Sequence, residues 1–110
     1  MSQTAAAEVN PYWVEVFLGV GSNLRQPQQQ VRRAFSALQA LPESRDAHCS
    51  PLYLSPPMGP QEQPDYVNAV IRLVTRLSPG FLLREVQTIE RSQGRVRGER
   101  WGPRTLDIDL

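Results

Sequence analysis

The sequence predicts an α+β fold, an antiparallel sheet with both helices on one face and elements ordered β-α-β-β-α-β. Period-two patterning marks Tyr12–Val20, Tyr66–Thr75 and Thr105–Leu110 as strands. Apolar residues recur at helical spacing across Pro27–Leu41 and Ser78–Gln93. Proline and glycine fall at the edges of those helical segments, where they start or stop a helix rather than break it.

Each element has its own reason. In the first strand Val14, Val16, Leu18 and Val20 form one face, and Trp13, Glu15, Phe17 and Gly19 form the other. Apolar residues on both faces suit a central strand. Gly21-Ser22-Asn23 is expected to turn the chain; no Gly-Lys-Ser/Thr follows, so it is not read as a phosphate loop. In the first helix Val31, Ala34, Phe35, Leu38 and Leu41 make the buried stripe, Pro27 opens it, Pro42 closes it, and Arg32 and Arg33 lie on the wet side. Ala47–Leu54 is a second strand, confined by Pro51 to a sheet edge or a bulge. Ser55–Pro64 follows, a proline-rich stretch too long and stiff for a plain turn and read as a binding loop. In the third strand Val67, Ala69, Ile71 and Leu73 face the core, while Tyr66, Asn68, Val70 and Arg72 face away. The second helix has Ser78 as N-cap, Pro79 at its first position and Gly94 past its end. Leu82, Val86 and Ile89 are its stripe, and Leu83 is expected to broaden it. This order of elements is the ferredoxin-like split βαβ arrangement.

Composition narrows the function. The chain has 110 residues, enough for one domain, and 40% are hydrophobic. Residues 1–11 are read as a mobile leader and 12–110 as the domain. A net charge of +1 argues against a general polyanion binder, so any phosphate recognition is local. No apolar run of about 18 residues occurs, and the N-terminus lacks the blocks of a secretion signal. A single cysteine, Cys49, cannot form an internal disulfide, and beside His48 it makes a poor metal site, since neighbours on a strand face opposite ways. These points lead us to expect a cytoplasmic protein that binds neither membrane nor nucleic acid; a monomer is expected, though no residue pattern decides it.

The chemistry concentrates in Gly94–Leu110, GRVRGERWGPRTLDIDL, which holds four arginines, one tryptophan and two aspartates. Strand alternation sends Leu106, Ile108 and Leu110 to the core and puts Thr105, Asp107 and Asp109 on the other face. The two aspartates are then about 6.6 Å apart along the strand. Carboxylates so placed repel unless a cation lies between them, and hard oxygen ligands suit Mg²⁺ alongside substrate phosphates. Arginines just upstream match phosphate oxygens two at a time. An Asp-x-Asp on a strand is often neutral in function; its company of arginines is what points to metal and phosphate. Glu90, in the last turn of its helix, stands where the helix dipole disfavours an acid, which hints at a role outside the helix.

Three pieces of the sequence, FLGVGSNL (Phe17 to Leu24), SPPMGPQEQPDYVNAV (Ser55 to Val70) and IERSQGRVRGERWGPRTLDIDL (Ile89 to Leu110), resemble the 6-hydroxymethyl-7,8-dihydropterin pyrophosphokinase family. That resemblance implies transfer of the β,γ-pyrophosphoryl unit of ATP to the pterin hydroxymethyl group, with release of AMP, in folate biosynthesis. It implies two Mg²⁺ ions held by Asp107 and Asp109, with Arg95, Arg104 and Asp109 acting in the transfer. The stretch from Arg95 to Arg104 looks like a mobile lid. Nucleotide contacts fall by similarity on Gln87, Glu90, Arg97, Trp101, Arg104 and Leu110. Pterin contacts fall on Ser55, Pro56, Met58, Tyr66, Asn68, Trp101 and Asp107. Asn68 would read the edge of the ring and Tyr66 would stack on it. Ser55 stands where many members have threonine, and Met58 where leucine is common. Members of the family are expected to continue past Leu110 with further nucleotide contacts and a second aromatic for the pterin. Two rival readings are an inactive fragment of such a kinase and a βαββαβ RNA-binding module, whose open sheet stacks bases on aromatics. Against RNA, Asp107 and Asp109 would repel a phosphate chain.

Overall fold

Among the described residues, elements form in the order β1 (Val9–Ser22), α1 (Pro27–Gln39), β2 (Ser44–Cys49), β3 (Tyr53–Ser55), β4 (Tyr66–Leu77), α2 (Pro79–Ser92) and β5 (Asp107–Asp109). The structure is a computed structural model that describes residues 7–24, 26–56, 65–94 and 107–109, the side chains of Asp107 and Asp109 excepted. The strands lie in the order β2-β4-β1-β5, all pairs antiparallel, with β3 following β2 along the same edge of β4. The sheet is therefore four strands wide, with β4 and β1 at its centre, and the α+β ferredoxin-like arrangement read from the sequence is the one observed.

Register follows from the apolar alternation. Leu18 pairs with Ile71, Val20 with Ala69, and Val20 again with Ile108 on the other side. All five are buried, so one face of three strands is a continuous apolar surface. A one-residue slip would turn that whole set to the other face. Val31, Ala34 and Leu38 of α1 and Leu82, Val86 and Ile89 of α2 close over it in a single core. On the opposite face Phe17 and Val70 are exposed. Among the described residues no helix is long and apolar enough to cross a membrane.

Several boundaries differ from expectation, each for a visible reason. Strand β1 begins at Val9, inside the stretch assigned to the leader, because Val9 pairs with Leu77 and the Ser78 N–H donates to the Glu8 carbonyl at 2.8 Å. It also runs through Ser22, which pairs with Val67, so Gly21 and Ser22 belong to a strand rather than to the expected turn. The bend comes afterwards, and Gln26 enters α1 with a left-handed φ of 59°. Helix α1 ends at Gln39, two residues early, although Leu41 still reaches the core.

The second strand is broken at Pro51 into β2 and β3. Ser50 spans the break: its N–H donates to the Val70 carbonyl at 2.9 Å, and its hydroxyl accepts the Val70 N–H at 2.8 Å. A side chain thus stands in for a missing ladder acceptor, and the proline sits at an edge, where it removes nothing from the sheet interior. In α2 the Ser78 hydroxyl accepts the Phe81 N–H at 3.3 Å, and Gly94 turns left-handed at φ 86° past the end, both as expected. Leu83, however, is 46% exposed and does not widen the stripe. Its line on the helix returns two turns later at Glu90, where α2 is tied to β5.

Candidate active site

Cross-strand pairing gathers the polar residues at one end of the sheet. Asn68 of β4 pairs with Tyr53 of β3 on one side and with Gly21 of β1 on the other, and Gly21 pairs with Asp107 of β5. Tyr53, Asn68, Gly21 and Asp107 therefore form one row across the sheet. Neighbouring strands are about 4.8 Å apart, so Asn68 and Asp107 are separated by roughly 10 Å of backbone with only glycine between them. The row is set by the same register that buries Val20, Ala69 and Ile108, so the core and the site are specified together.

Within the row, the Asn68 carboxamide Nδ2 donates to the Ser55 hydroxyl at 2.6 Å, linking β4 to β3 beneath the start of the proline-rich loop. Ser55 pairs with Tyr66, and a carbon placed on Gly21 would lie 3.6 Å from the Tyr66 ring and 2.9 Å from Asn68 Oδ1. Ser55, Tyr66 and Asn68, three residues singled out for a flat heterocycle, are thus brought together, all of them partly buried. Pro56 follows directly and is exposed. Met58 lies outside the described residues.

Glu90 is 5% exposed, and its Oε2 accepts the Ile108 backbone N–H at 2.9 Å. The acid that looked misplaced at the end of its helix has a partner on β5, between Asp107 and Asp109. Gln87, one turn earlier, is partly exposed. Arg95, Arg97, Trp101, Arg104 and Leu110 lie outside the described residues, as does the stretch read as a lid. Asp107 and Asp109 occupy the expected strand positions. Two members of the row escaped the sequence reading. Gly21 reads locally as a turn residue, and Tyr53 is not singled out within the edge strand; a glycine inside a strand is the signal that draws attention to the first.

An antiparallel sheet with helices on one face and a glycine-floored polar row at the end of the other defines an α+β domain of ferredoxin-like type. A family model described as 7,8-dihydro-6-hydroxymethylpterin-pyrophosphokinase (HPPK) matches residues 17–110, and the chain belongs to that family. Among its relatives, 2-amino-4-hydroxy-6-hydroxymethyldihydropteridine pyrophosphokinase of Pseudomonas aeruginosa is 52% identical over 95 residues, 86% of this chain and 59% of the relative. The protein of the same name from Haemophilus influenzae is 48% identical over 97 residues, 88% of this chain and 61% of the relative. The folic acid synthesis protein fol1 of Schizosaccharomyces pombe is 38% identical over 94 residues, which cover 86% of this chain but 13% of that much longer protein. The chain spans about three fifths of the length of the first two relatives.

Proposed function

We propose that this chain carries the pterin- and metal-binding part of an enzyme that transfers pyrophosphate from ATP to 6-hydroxymethyl-7,8-dihydropterin, releasing AMP, in folate biosynthesis. The family match and the names of the relatives support the activity. The single observation that carries the substrate side is the row Tyr53–Asn68–Gly21–Asp107 with Ser55 hydrogen bonded to Asn68. A carboxamide held at the edge of a bare floor suits the donor and acceptor edge of a pterin, and Tyr66 beside it suits stacking.

The metal reading rests on Ile108. Its side chain is 7% exposed in the core, and the period of two read from the sequence would give Asp107 and Asp109 the other face. Two carboxylates there fit Mg²⁺, and they would hold it against the triphosphate. A bound Mg²⁺ supplies charge neutralisation at the phosphate oxygens. The chain's own residues do the rest: Asn68, Ser55, Tyr66, Pro56 and Met58 orient the pterin, and Gln87, Glu90, Arg97 and Leu110 meet the nucleotide. Arg95 and Arg104 balance charge on the transferred group while Trp101 closes over both substrates. Positioning and charge stabilisation are the main requirements of phosphoryl transfer. The domain takes in residues 9–11 of β1 along with 12–110 and acts as a cytoplasmic monomer, without nucleic acid or membrane.

Calorimetric titration with a non-hydrolysable ATP analogue, with and without Mg²⁺, and with a short RNA tests the reading. Nucleotide binding that needs Mg²⁺ and is lost in Asp107→Ala and Asp109→Ala is the expected result. RNA binding that persists in EDTA, without Mg²⁺-dependent nucleotide binding, would sink it.

A further inference from the structure

Glycine is a poor strand residue, since it adds no side chain to pack and loses the most freedom on ordering. Gly21 nevertheless sits in β1, paired on both sides, at the centre of the sheet. Its backbone does not demand glycine: the glycine with positive φ among the described residues is Gly94. Space is the remaining reason. A Cβ on Gly21 would stand 2.9 Å from Asn68 Oδ1, closer than real Cβ contacts come. Two residues earlier, on the same face, a Cβ on Gly19 would meet none of the described atoms within 4 Å.

We propose that Gly21 is a positioning residue for substrate recognition: by lacking a side chain it lets the Asn68 carboxamide lie across the β1 backbone, within reach of the Ser55 hydroxyl. Asn68 then presents its remaining hydrogen-bonding capacity in one fixed orientation to a flat bicyclic heterocycle that carries an amide and an amidine on one edge. Ser55 holds the carboxamide from one side, by the 2.6 Å bond from Asn68 Nδ2, and the absent Gly21 side chain leaves room on the other. A fixed carboxamide discriminates well, because a mismatched ligand leaves its buried polar atoms unpaired. The ligand named here rests on the function proposed above; the geometry of the three residues does not.

The test compares the chain with its Gly21→Ala, Gly19→Ala and Ser55→Ala variants. Because the colliding atom ends a rotatable side chain, Gly21→Ala is expected to fold and to displace the carboxamide. Binding of 6-hydroxymethylpterin is read by calorimetry, and the Asn68 side-chain NH₂ resonances, assigned with Asn68→Ala, are read by NMR. The expectation is pterin binding weakened by about tenfold or more in Gly21→Ala, the scale of one lost hydrogen bond, and within about twofold of wild type in Gly19→Ala. The Asn68 resonances should move in Gly21→Ala and Ser55→Ala and stay in place in Gly19→Ala. Equal weakening by both glycine substitutions, or unmoved Asn68 resonances in Gly21→Ala, overturns the proposal. A wild-type chain that binds no pterin overturns the functional reading and the ligand named here, while the resonances still decide whether Gly21 positions Asn68.

Discussion

Glu90 Oε2 accepts the backbone N–H of Ile108 at 2.9 Å, joining the last turn of α2 to the strand that carries both aspartates. The carboxylate is almost fully buried, and from the helix layer it holds the described strand Asp107–Asp109.

Removing that acceptor should loosen β5. Glu90→Ala is expected to destabilise the chain by about 1–3 kcal/mol, the usual cost of stranding a buried donor. Glu90→Gln keeps an oxygen at the same reach and should recover most of the loss. Hydrogen exchange at the Ile108 amide separates the two: fast in the alanine variant, slow in the glutamine variant. Slow exchange in both would mean that Glu90 does not hold the strand.

An ion pair ties down the far end of the sheet. Glu43, at φ 52° just before β2, accepts from Arg76 Nε at 2.7 Å and Nη2 at 3.1 Å. The hydrogen bond from Arg76 holds the Glu43 carboxyl below its ordinary range, with desolvation opposing it and the Arg76 charge adding to the lowering. A depressed carboxylate contributes stability that is present above the unfolded value and is lost as pH falls through the folded one. The difference in Tm between wild type and Glu43→Gln should therefore be constant near neutral pH. It should close as the pH drops below the ordinary glutamate range. A gap that stays open in acid would show that the pair is not its source.

Core packing predicts a contrast on one sheet and one helix. Ile71 is fully buried at the centre of β4, so Ile71→Ala should cost about 2–5 kcal/mol in urea unfolding. Leu83→Gln on the exposed flank of α2 should stay within about 0.5 kcal/mol. A large loss at Leu83 would restore the wider helix stripe that the alternation of residues first suggested.

Cys49 pairs with Ile71 at the edge of the sheet, and burial pushes its thiol above the ordinary value. The group stays protonated at neutral pH and should react slowly with a disulfide reagent in the folded chain. Unfolding in urea should release it to the rate of a free thiol. Equal rates in both states would place the sulfur in a more polar setting than the structure gives it.

Much of the fold was legible because it depends on local pattern. Val67, Ala69, Ile71 and Leu73 alternate without a break, and they are buried as a set. Ser78, Pro79 and Gly94 mark the bounds of a helix by their backbone chemistry alone, and α2 starts and stops there. Ser55, Tyr66 and Asn68 could be singled out from the residues and the family they resemble, and the structure brings them together.

What stayed hidden depends on partners far away in sequence. Gly21 looks like a turn in its local context; it is held extended by Asn68 on one side and Asp107 on the other. Leu83 has the spacing of a core residue, yet it stands exposed beside the buried Leu82. Glu90 seemed set against its own helix dipole until β5 supplied a backbone donor. The sequence by itself determined which residues alternate, where helices begin and end, and which side chains have the chemistry to hold a metal or a ring, because these follow from intervals of two to four residues. Only the tertiary structure decided that a glycine floor separates Asn68 from Asp107 and that a helix carboxylate holds the aspartate strand. Those relations arise from register between strands remote in the chain, and no local interval encodes them.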